Sequence, residues 1–337
     1  MNRRVLLAAY PVGMPRLEDF AIEETPIPTP EEGEVLVRNV FFSVDPYMRG
    51  RMRPSGTSYA GGFRIGEPMT GGAVGTVIES NRPEWPVGTC VRSMQGWREY
   101  FVSDGRDLEI VDPKAAPLSA YLGVLGMPGF TAWYGLTEIG RPQRGETLVV
   151  SAAAGAVGSL VGQIGRIRGC RVVGTTGSDE KCAYLMEELR FDAAINYKAT
   201  DDLTGALRAA CPDGIDIYFE NVGGRLLEAV LNLVNLGARI PVCGMISQYN
   251  REEPEPGPRN LMTLIGRRVR MQGFLISDHI GRRATFERQV SGWIREGRVR
   301  YRETIVDGIE HAAEAFLQLF TGGNIGKMLV RVGPDPD

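Results

Sequence analysis

The stretch from Thr147 to Lys181, TLVVSAAAGAVGSLVGQIGRIRGCRVVGTTGSDEK, constrains the fold of this chain more than any other. It opens with Leu148, Val149 and Val150, an apolar run too short for a helix and bounded by small residues, the pattern of a buried strand. Ala152, Gly155 and Gly158 follow at three-residue spacing. Leu160, Val161, Ile164 and Ile167 then fall at i, i+1, i+4 and i+7, one face of a helix. Arg171 to Thr175 reads as a second strand. Strand, glycine-rich turn, helix and strand within about thirty residues form the context that a dinucleotide-binding fingerprint requires.

The glycines have a physical reason. Gly155 and Gly158 let backbone approach a pyrophosphate with no Cβ in the way, and the helix N-terminus offers free N–H groups and a positive dipole end. Gly162 lets the helix pack close to the sheet. Ala152 stands where the first glycine of the usual G-x-G-x-x-G belongs, so small residues for tight helix packing are the rival reading. The end of the second strand selects the cofactor. NAD sites usually carry an Asp or Glu about twenty residues past the first glycines, bonded to the ribose 2′-OH. Here that region is Thr175, Thr176, Gly177 and Ser178, followed by Asp179, Glu180 and Lys181. Ser178 can donate to a 2′-phosphate and Lys181, one helical turn on, can supply the charge, which favours NADPH. Asp179 is the rival, as a ribose ligand for NAD, although an acid also suits a helix N-terminus.

At 337 residues the chain is long enough for two domains. A net charge of −3 gives no electrostatic case for nucleic acid or a membrane surface. Arg267, Arg268, Arg270, Arg282 and Arg283 form the one basic concentration, read as a solvated face. The five cysteines (Cys90, Cys170, Cys182, Cys211 and Cys243) are odd in number and scattered, as in a reduced, cytoplasmic protein. No apolar run approaches the length of a membrane helix.

Residues 1–123 are rich in Gly, Pro and short alternating runs. The apolar run after Arg3 and Arg4, then Glu34 to Val40, Ala73 to Glu79, Cys90 to Arg92 and Arg98 to Val102, are strand candidates separated by turn residues. From about Gly126 helix and strand alternate. Helices are expected over Phe130 to Ile139, Lys181 to Leu189, Leu226 to Val234 and Asp278 to Glu296. Strands are expected over Ala193 to Tyr197, Ile215 to Phe219, Ala238 to Cys243 and Val269 to Ile276, the last at a sheet edge. Asp307 and Glu310 suggest a capped helix start, Gly322 and Gly323 its end, and Lys327 to Val332 a final strand. The fold class is thus α/β, with a doubly wound parallel sheet over residues 124–297 inserted in a mostly β domain of residues 1–123 and 298–337.

Several short runs then carry a family resemblance along nearly the whole chain. They are Asp45-Pro46-Tyr47-Met48-Arg49-Gly50-Arg51-Met52, Gly126-Met127-Pro128-Gly129-Phe130-Thr131-Ala132, the fingerprint through Gly177-Ser178-Asp179-Glu180-Lys181, and Glu220-Asn221-Val222-Gly223-Gly224. Gly244-Met245-Ile246-Ser247-Gln248-Tyr249-Asn250 and Asn324-Ile325-Gly326-Lys327 complete the set. In that order they resemble the zinc-independent branch of the medium-chain dehydrogenase/reductases, close to prostaglandin reductases, plant alkenal double-bond reductases and curcumin-reductase-like enzymes. The resemblance implies a GroES-like substrate domain and NADPH-dependent reduction of the C=C bond of α,β-unsaturated aldehydes or ketones. It also implies that Gly155, Ala156, Val157 and Gly158 hold the pyrophosphate, and Lys181 with Tyr197 the 2′-phosphate. Thr131, Gly177, Ser178, Asn221, Cys243, Gly244, Ile246, Ser247, Tyr249, Phe274, Leu275, Ile276 and Asn324 complete the cofactor contacts it implies. Tyr47, Tyr59 and Tyr249 are expected to face the enone, and a homodimer joined at sheet edges is expected. One departure is Gly266, aligned where the animal prostaglandin reductases have a tyrosine, which favours the bacterial type.

Zinc chemistry needs three or four Cys, His or acidic ligands. This chain offers only His279 and His311, no cysteine cluster, and Gly66-Glu67-Pro68 where zinc-dependent relatives have Gly-His-Glu, so no metal is expected. Without a metal, hydride addition to the β-carbon leaves a developing enolate oxygen that needs a preorganised donor, and an α-carbon that needs a proton. A phenol, neutral and donating at pH 7, suits both tasks. Tyr249 is the first candidate because it follows a strand's carboxyl end, where sites of open α/β sheets gather. Packing as a wall against cofactor or substrate is its other reading. Tyr59, in a Gly-flanked loop, is second, and Tyr47 can equally be structural. Two alternatives differ in kind: a metal-free NADPH quinone reductase, and a non-catalytic NADPH-binding redox sensor.

Overall fold

Six parallel strands form the sheet of the unit spanning Val124–Arg302. Their order across the sheet is Ala193–Asn196, Arg171–Thr176, Thr147–Val150, Ile215–Phe219, Val234–Val242 and Arg270–Gly273. Sequence order therefore runs outward in both directions from Thr147–Val150, and its carboxyl end is the topological switch point where α/β sheets bind ligands. Val149, Val173, Ile217 and Ile240 are fully buried, as strands covered on both faces require. Helix Ala156–Ile167 lies on the sheet through Leu160, Val161 and Ile164. Gly165 permits that approach, since a Cβ there would lie 2.4 Å from Leu148 Cδ2, whereas Gly162, expected to do so, makes room for the Phe191 ring instead.

The structure, a computed structural model, describes residues 1–54 and 58–335. The other unit comprises Met1–Gly123 with Glu303–Asp337. Among the described residues it holds a seven-stranded sheet, with Glu303–Asp307, Lys327–Arg331, Val35–Ser43, Ala73–Ser80, Cys90–Ser93 and Glu109–Ile110 in order and Tyr100–Ser103 paired to Val35–Ser43. Asn2–Leu7 and Phe20–Thr25 make a separate antiparallel pair. The C-terminal segment returns to this core through Phe316, whose ring lies 6.1 Å from those of Trp97 and Phe20.

Several expected elements differ. The first strand is Asn2–Leu7, earlier than the apolar run suggests, because its residues pair with Phe20–Thr25 from Asn2 onward. The edge strand is only Arg270–Gly273, shorter than Val269 to Ile276. The helix expected from Asp278 to Glu296 is interrupted: a 3-10 turn spans Ile276–Arg282, His279 leaves helical geometry (φ −124°, ψ 23°), and the helix proper is Arg283–Arg295. His279 stacks on Tyr134 with ring centroids 4.0 Å apart, a contact that a continuous helix does not have to make. The helix expected over Leu226 to Val234 runs Gly224–Leu231, and Val234 already opens the next strand. Wider π-type turns at Gly135–Gly140 and Tyr184–Glu188 end the helices that begin at Met127 and Asp179. Asp307 does not start a helix. It closes the strand Glu303–Asp307, its carboxylate 3.6 Å from Arg331 Nε, and the helix is Ala312–Thr321. The return to the first unit falls after Arg302 rather than after Gly297, because Gln163 bonds both N–H and carbonyl of Arg300.

Gly162→Ala is expected to destabilise the fold by about 1–3 kcal/mol, the cost of overpacking a filled site. Gly266, in a short helix with no atom within 4 Å of the place a Cβ would take, is the control. Gly266→Ala is expected to unfold at or above the parent temperature, because it only narrows the unfolded ensemble. Thermal denaturation of the two variants side by side checks both.

Candidate functional site

The glycine-rich turn leaves an uncapped helix. Ala152, in the first-glycine position, takes the left-handed conformation that glycine favours (φ 49°). Gly155 caps helix Ala156–Ile167 with extended backbone and, as a glycine, gives the first-turn N–H groups no side-chain cap. Ala156, Val157 and Gly158 therefore present N–H donors that the helix itself cannot satisfy. Gly158 serves the chain's own packing, since a Cβ would lie 2.5 Å from the Ala152 carbonyl oxygen and 2.7 Å from Ala153 Cα. Gly155 is less crowded, with only the Ala152 oxygen near, at 3.3 Å.

At the tip of strand Arg171–Thr176, Ser178 Oγ accepts the Lys181 backbone N–H at 3.3 Å, which leaves its hydroxyl hydrogen to donate. Asp179 is exposed, and one of its carboxylate oxygens is engaged. Its Oδ1 accepts the Asn196 side-chain amide at 2.8 Å. Tyr197 OH and Lys198 Cε both come within 3.2 Å of the Cβ position of Gly177, so these side chains cross above the strand tip. Burial, and then Lys198, lower the Lys181 pKa, while Glu180 opposes them. Burial raises the Tyr197 phenol, which stays a neutral donor. Gly177, Ser178, Lys181 and Tyr197 are thus brought together. Lys198 joins them without any sequence signal except that it follows Tyr197.

A buried carboxyl organises the strand ends opposite. Glu220 is fully buried, and its Oε1 accepts from Ser151 Oγ (3.1 Å), Tyr218 OH (3.0 Å), Val222 N–H (2.6 Å) and Gly223 N–H (2.9 Å). Its Oε2 has no hydrogen-bond partner. Burial raises the Glu220 pKa even against those four donors. Asn221 is anchored to the glycine turn, its N–H to Ser151 Oγ at 2.8 Å and its amide to the Ser151 carbonyl at 2.7 Å. The next loop is zipped onto the same segment: Cys243 N–H and Gly244 N–H donate to the Glu220 carbonyl, Ile246 N–H to Asn221 and Ser247 N–H to Val222. Burial and the Glu220 carboxyl push the Cys243 thiol up to about 12, so it is a neutral S–H and no nucleophile.

Tyr249 follows the 3-10 turn Ile246–Gln248 and folds back over this loop. Its oxygen accepts the Met245 N–H at 3.4 Å and lies 2.8 Å from the Cβ position of Gly244. Phe274 is half-buried against Tyr134, with centroids 5.8 Å apart, and Leu275 and Ile276 are half-buried after it. Thr131 is buried in helix Met127–Tyr134, and its hydroxyl bonds back to the Met127 carbonyl at 2.8 Å.

Three expected site residues belong to the first unit. Tyr47 is half-buried, and its phenol is raised above the ordinary range, first by burial and then by Asp45, while Arg51, which bonds it, pulls it down. Arg51 also bonds Thr70 Oγ1 at 3.1 Å and covers the Phe63 ring at 3.9 Å. Tyr59 is 69% exposed and close enough to Tyr47 to raise its pKa. Asn324 donates to the Gly326 carbonyl at 2.8 Å. Beside it, the buried Lys327 ammonium bonds the carbonyls of Val44 (2.9 Å) and Met328 (2.8 Å) and pairs with Asp45 at 3.2 Å. That ion pair ties the run ending at Lys327 to the run beginning at Asp45, and neither run alone discloses it. His279 stacks on Tyr134, and His311 Nδ1 lies 2.8 Å from Glu314. Among the described residues, no three His, Cys, Asp or Glu side chains gather as a metal site needs.

The sheet order and the glycine turn define a Rossmann-type dinucleotide-binding unit in a chain whose other unit is mostly β. Two family models match: "N-terminal domain of oxidoreductase" over residues 3–111 and "Zinc-binding dehydrogenase" over residues 156–295. The chain is 49% identical to the NADPH-dependent curcumin reductase of Escherichia coli (strain K12), covering 99% of this chain and 98% of that one. It is 47% identical to the NADP(+)-dependent 2-alkenal reductase of Nicotiana tabacum, covering 98% and 97%. Among solved structures, CurA from Vibrio vulnificus in complex with NADPH matches with a TM-score of 0.94 and 46% identity over 98% of this chain and 99% of that one. The Escherichia coli quinone oxidoreductase complexed with NADPH shares the fold, with a TM-score of 0.76 at 18% identity over 98% and 100%. The chain belongs to the medium-chain dehydrogenase/reductases, in the group that holds the curcumin, 2-alkenal and prostaglandin reductases.

Glu220 yields a pH prediction. A carboxyl whose folded pKa is raised keeps in the native state a proton that the unfolded chain has released, so stability is lost as pH rises through that interval. Glu220→Gln keeps an acceptor oxygen and removes the titration. Its stability is expected to be flatter than the parent's from the ordinary carboxylate range upward. Denaturant unfolding at a series of pH values checks the slope.

Proposed function

We propose that this protein reduces the C=C double bond of α,β-unsaturated aldehydes and ketones with NADPH. The observation that carries the reading is near-half identity, over almost the whole of both chains, to a curcumin reductase and a 2-alkenal reductase named as NADPH- or NADP(+)-dependent. The quinone-reductase alternative draws on likeness of fold to a quinone oxidoreductase at 18% identity.

The residues fit NADPH. The uncapped first turn at Ala156, Val157 and Gly158 suits a pyrophosphate, and Ser178, Lys181 and Tyr197 suit a 2′-phosphate. Asn221, the Cys243–Ser247 loop, Tyr249, Phe274 to Ile276, Thr131 and Asn324 are assigned to the remainder. When bound, NADPH supplies the hydride that goes to the enone β-carbon. Tyr249 is assigned to the carbonyl oxygen. The Met245 N–H donates to its phenol at 3.4 Å, which ties the ring to the loop after strand Val234–Val242. As negative charge grows on that oxygen the hydrogen bond strengthens, which is the differential stabilisation that lowers a barrier. The raised phenol of Tyr47 also remains a neutral donor, and Tyr47 and Tyr59 are assigned to the substrate.

The proposed chemistry needs no metal, a reading supported by the scarcity of histidine and by the polarising role given to a phenol. Among the described residues no helix is long and apolar enough to cross a membrane. All five cysteines are free, which supports a cytoplasmic location. The open edge at Arg270–Gly273 supports a homodimer.

Loss of NADPH absorbance with a medium-chain 2-alkenal and a 3-en-2-one, with products identified by mass, tests the reaction. The saturated carbonyl is expected, and an allylic alcohol or turnover with quinones alone overturns the reading. Tyr249→Phe is expected to lower kcat by about 10²–10³ with NADPH affinity nearly unchanged, as for loss of one oxyanion donor. Unchanged turnover leaves Tyr249 as a wall only. Lys181→Ala is expected to weaken NADPH and leave NADH nearly as it was; equal losses for the two cofactors refute the 2′-phosphate assignment.

A further inference from the structure

Strand Ala193–Asn196 pairs in parallel with Arg171–Thr176, and Asn196 stands opposite Thr176. The residues after Asn196 therefore run alongside the residues after Thr176, and Tyr197 N–H donates to the Thr176 carbonyl at 3.0 Å. The Asn196 carboxamide works in both directions from this place. Its Nδ2 donates to Asp179 Oδ1 at 2.8 Å, and its Oδ1 accepts the Lys198 backbone N–H at 3.1 Å. The Asn196 carbonyl accepts Thr200 Oγ1 at 2.8 Å and Ala199 N–H at 3.2 Å, which closes the turn that carries Lys198. The Lys198 stem then crosses to within 3.2 Å of the Cβ position of Gly177.

We propose that Asn196 and Lys198 set the preference for NADPH over NADH, Lys198 as a second ammonium for the 2′-phosphate and Asn196 as the residue that withdraws Asp179 from the ribose. This deepens the reading in which Ser178, Lys181 and Tyr197 hold that phosphate. Two ammonium groups brought to one strand tip repel each other, and Lys181 registers the presence of Lys198. A dianionic phosphate reverses the sign of that interaction, while a ribose hydroxyl leaves it uncompensated. Asp179 is the acid best placed to bond a ribose 2′-OH, and a carboxylate there opposes a phosphate. Bonding Asp179 Oδ1 to Asn196 turns the carboxylate toward the neighbouring strand. One amide thus selects against NAD and for its phosphorylated form, the pairing of attraction with exclusion that specificity requires.

Lys198 is exposed, so removing its amine leaves the core untouched. The test is equilibrium binding of NADPH and of NADH to the parent protein, Lys198→Met, Lys198→Arg, Asn196→Ala and the double variant Asn196→Ala with Asp179→Asn. Lys198→Met is expected to lower NADPH affinity about 10-fold, the scale of one charge-assisted bond, with NADH little changed and Lys198→Arg close to the parent. Asn196→Ala is expected to move the cofactors in opposite directions, NADPH weaker and NADH tighter. Asp179→Asn added to it is expected to return the ratio toward the parent value. A merely structural Asn196 weakens both cofactors together, and that outcome overturns its role. A parent preference for NADPH that survives Lys198→Met overturns the role of Lys198 alone. A parent protein with no preference overturns the phosphate reading itself, and this inference with it.

Discussion

One oxygen atom, Glu220 Oε1, holds together the part of the sheet where chemistry is assigned. It gathers donors from the glycine turn through Ser151, from its own strand through Tyr218, and from the Val222–Gly223 turn. The Glu220 carbonyl meanwhile receives the Cys243–Gly244 loop. Three strand ends are thus fixed by one residue, and Asn221 is fixed with them through Ser151. Burying a carboxyl is costly, and the partnerless Oε2 shows that the cost is not fully offset. What results is an arrangement of loops cross-linked by hydrogen bonds to one residue. Placement within fractions of an ångström matters where a hydride must reach a carbon, so such cross-linking suits the role proposed for these loops.

The fold is legible where a pattern repeats along the chain. Leu160, Val161 and Ile164 disclose the helix over the sheet, and alternating strands and helices disclose a parallel sheet. Illegible features depend on residues distant in sequence. Glu303–Asp307 reads poorly as a strand because half-buried residues dominate it, and only its pairing with Lys327–Arg331 reveals it. His279 breaks a helix to stack on Tyr134, far back in the chain. Helix Leu203–Ala210 has an Asp202 cap and two buried leucines, a signal present but faint in a short segment.

The candidate site divides in the same way. Lys181 and Ser178 stand out because they follow a strand and a glycine fingerprint in sequence. Asp179 is ambiguous in sequence because its fate depends on Asn196, on the neighbouring strand, and no local rule links the two. The Lys327–Asp45 pair is hidden for the same reason, since its two halves lie near opposite ends of the chain. Tyr249 stands out by its place after a strand, yet its contact with the Met245 N–H shows only once the loop is folded.

Charge follows the proposed reaction from end to end. At the tip of strand Arg171–Thr176 the protein concentrates cations, Lys181 and Lys198, where a phosphate needs fixed counter-charge. Around Glu220 and Tyr249 its titratable groups are driven toward their neutral forms: burial raises the Glu220 carboxyl and the Cys243 thiol alike. A formal anion beside an enone opposes the negative charge that hydride transfer delivers to its oxygen, whereas a neutral donor gains strength as that charge develops. Under the proposed assignment, binding energy is collected at the charged end and differential stabilisation at the neutral end, which separates holding the cofactor from accelerating the step.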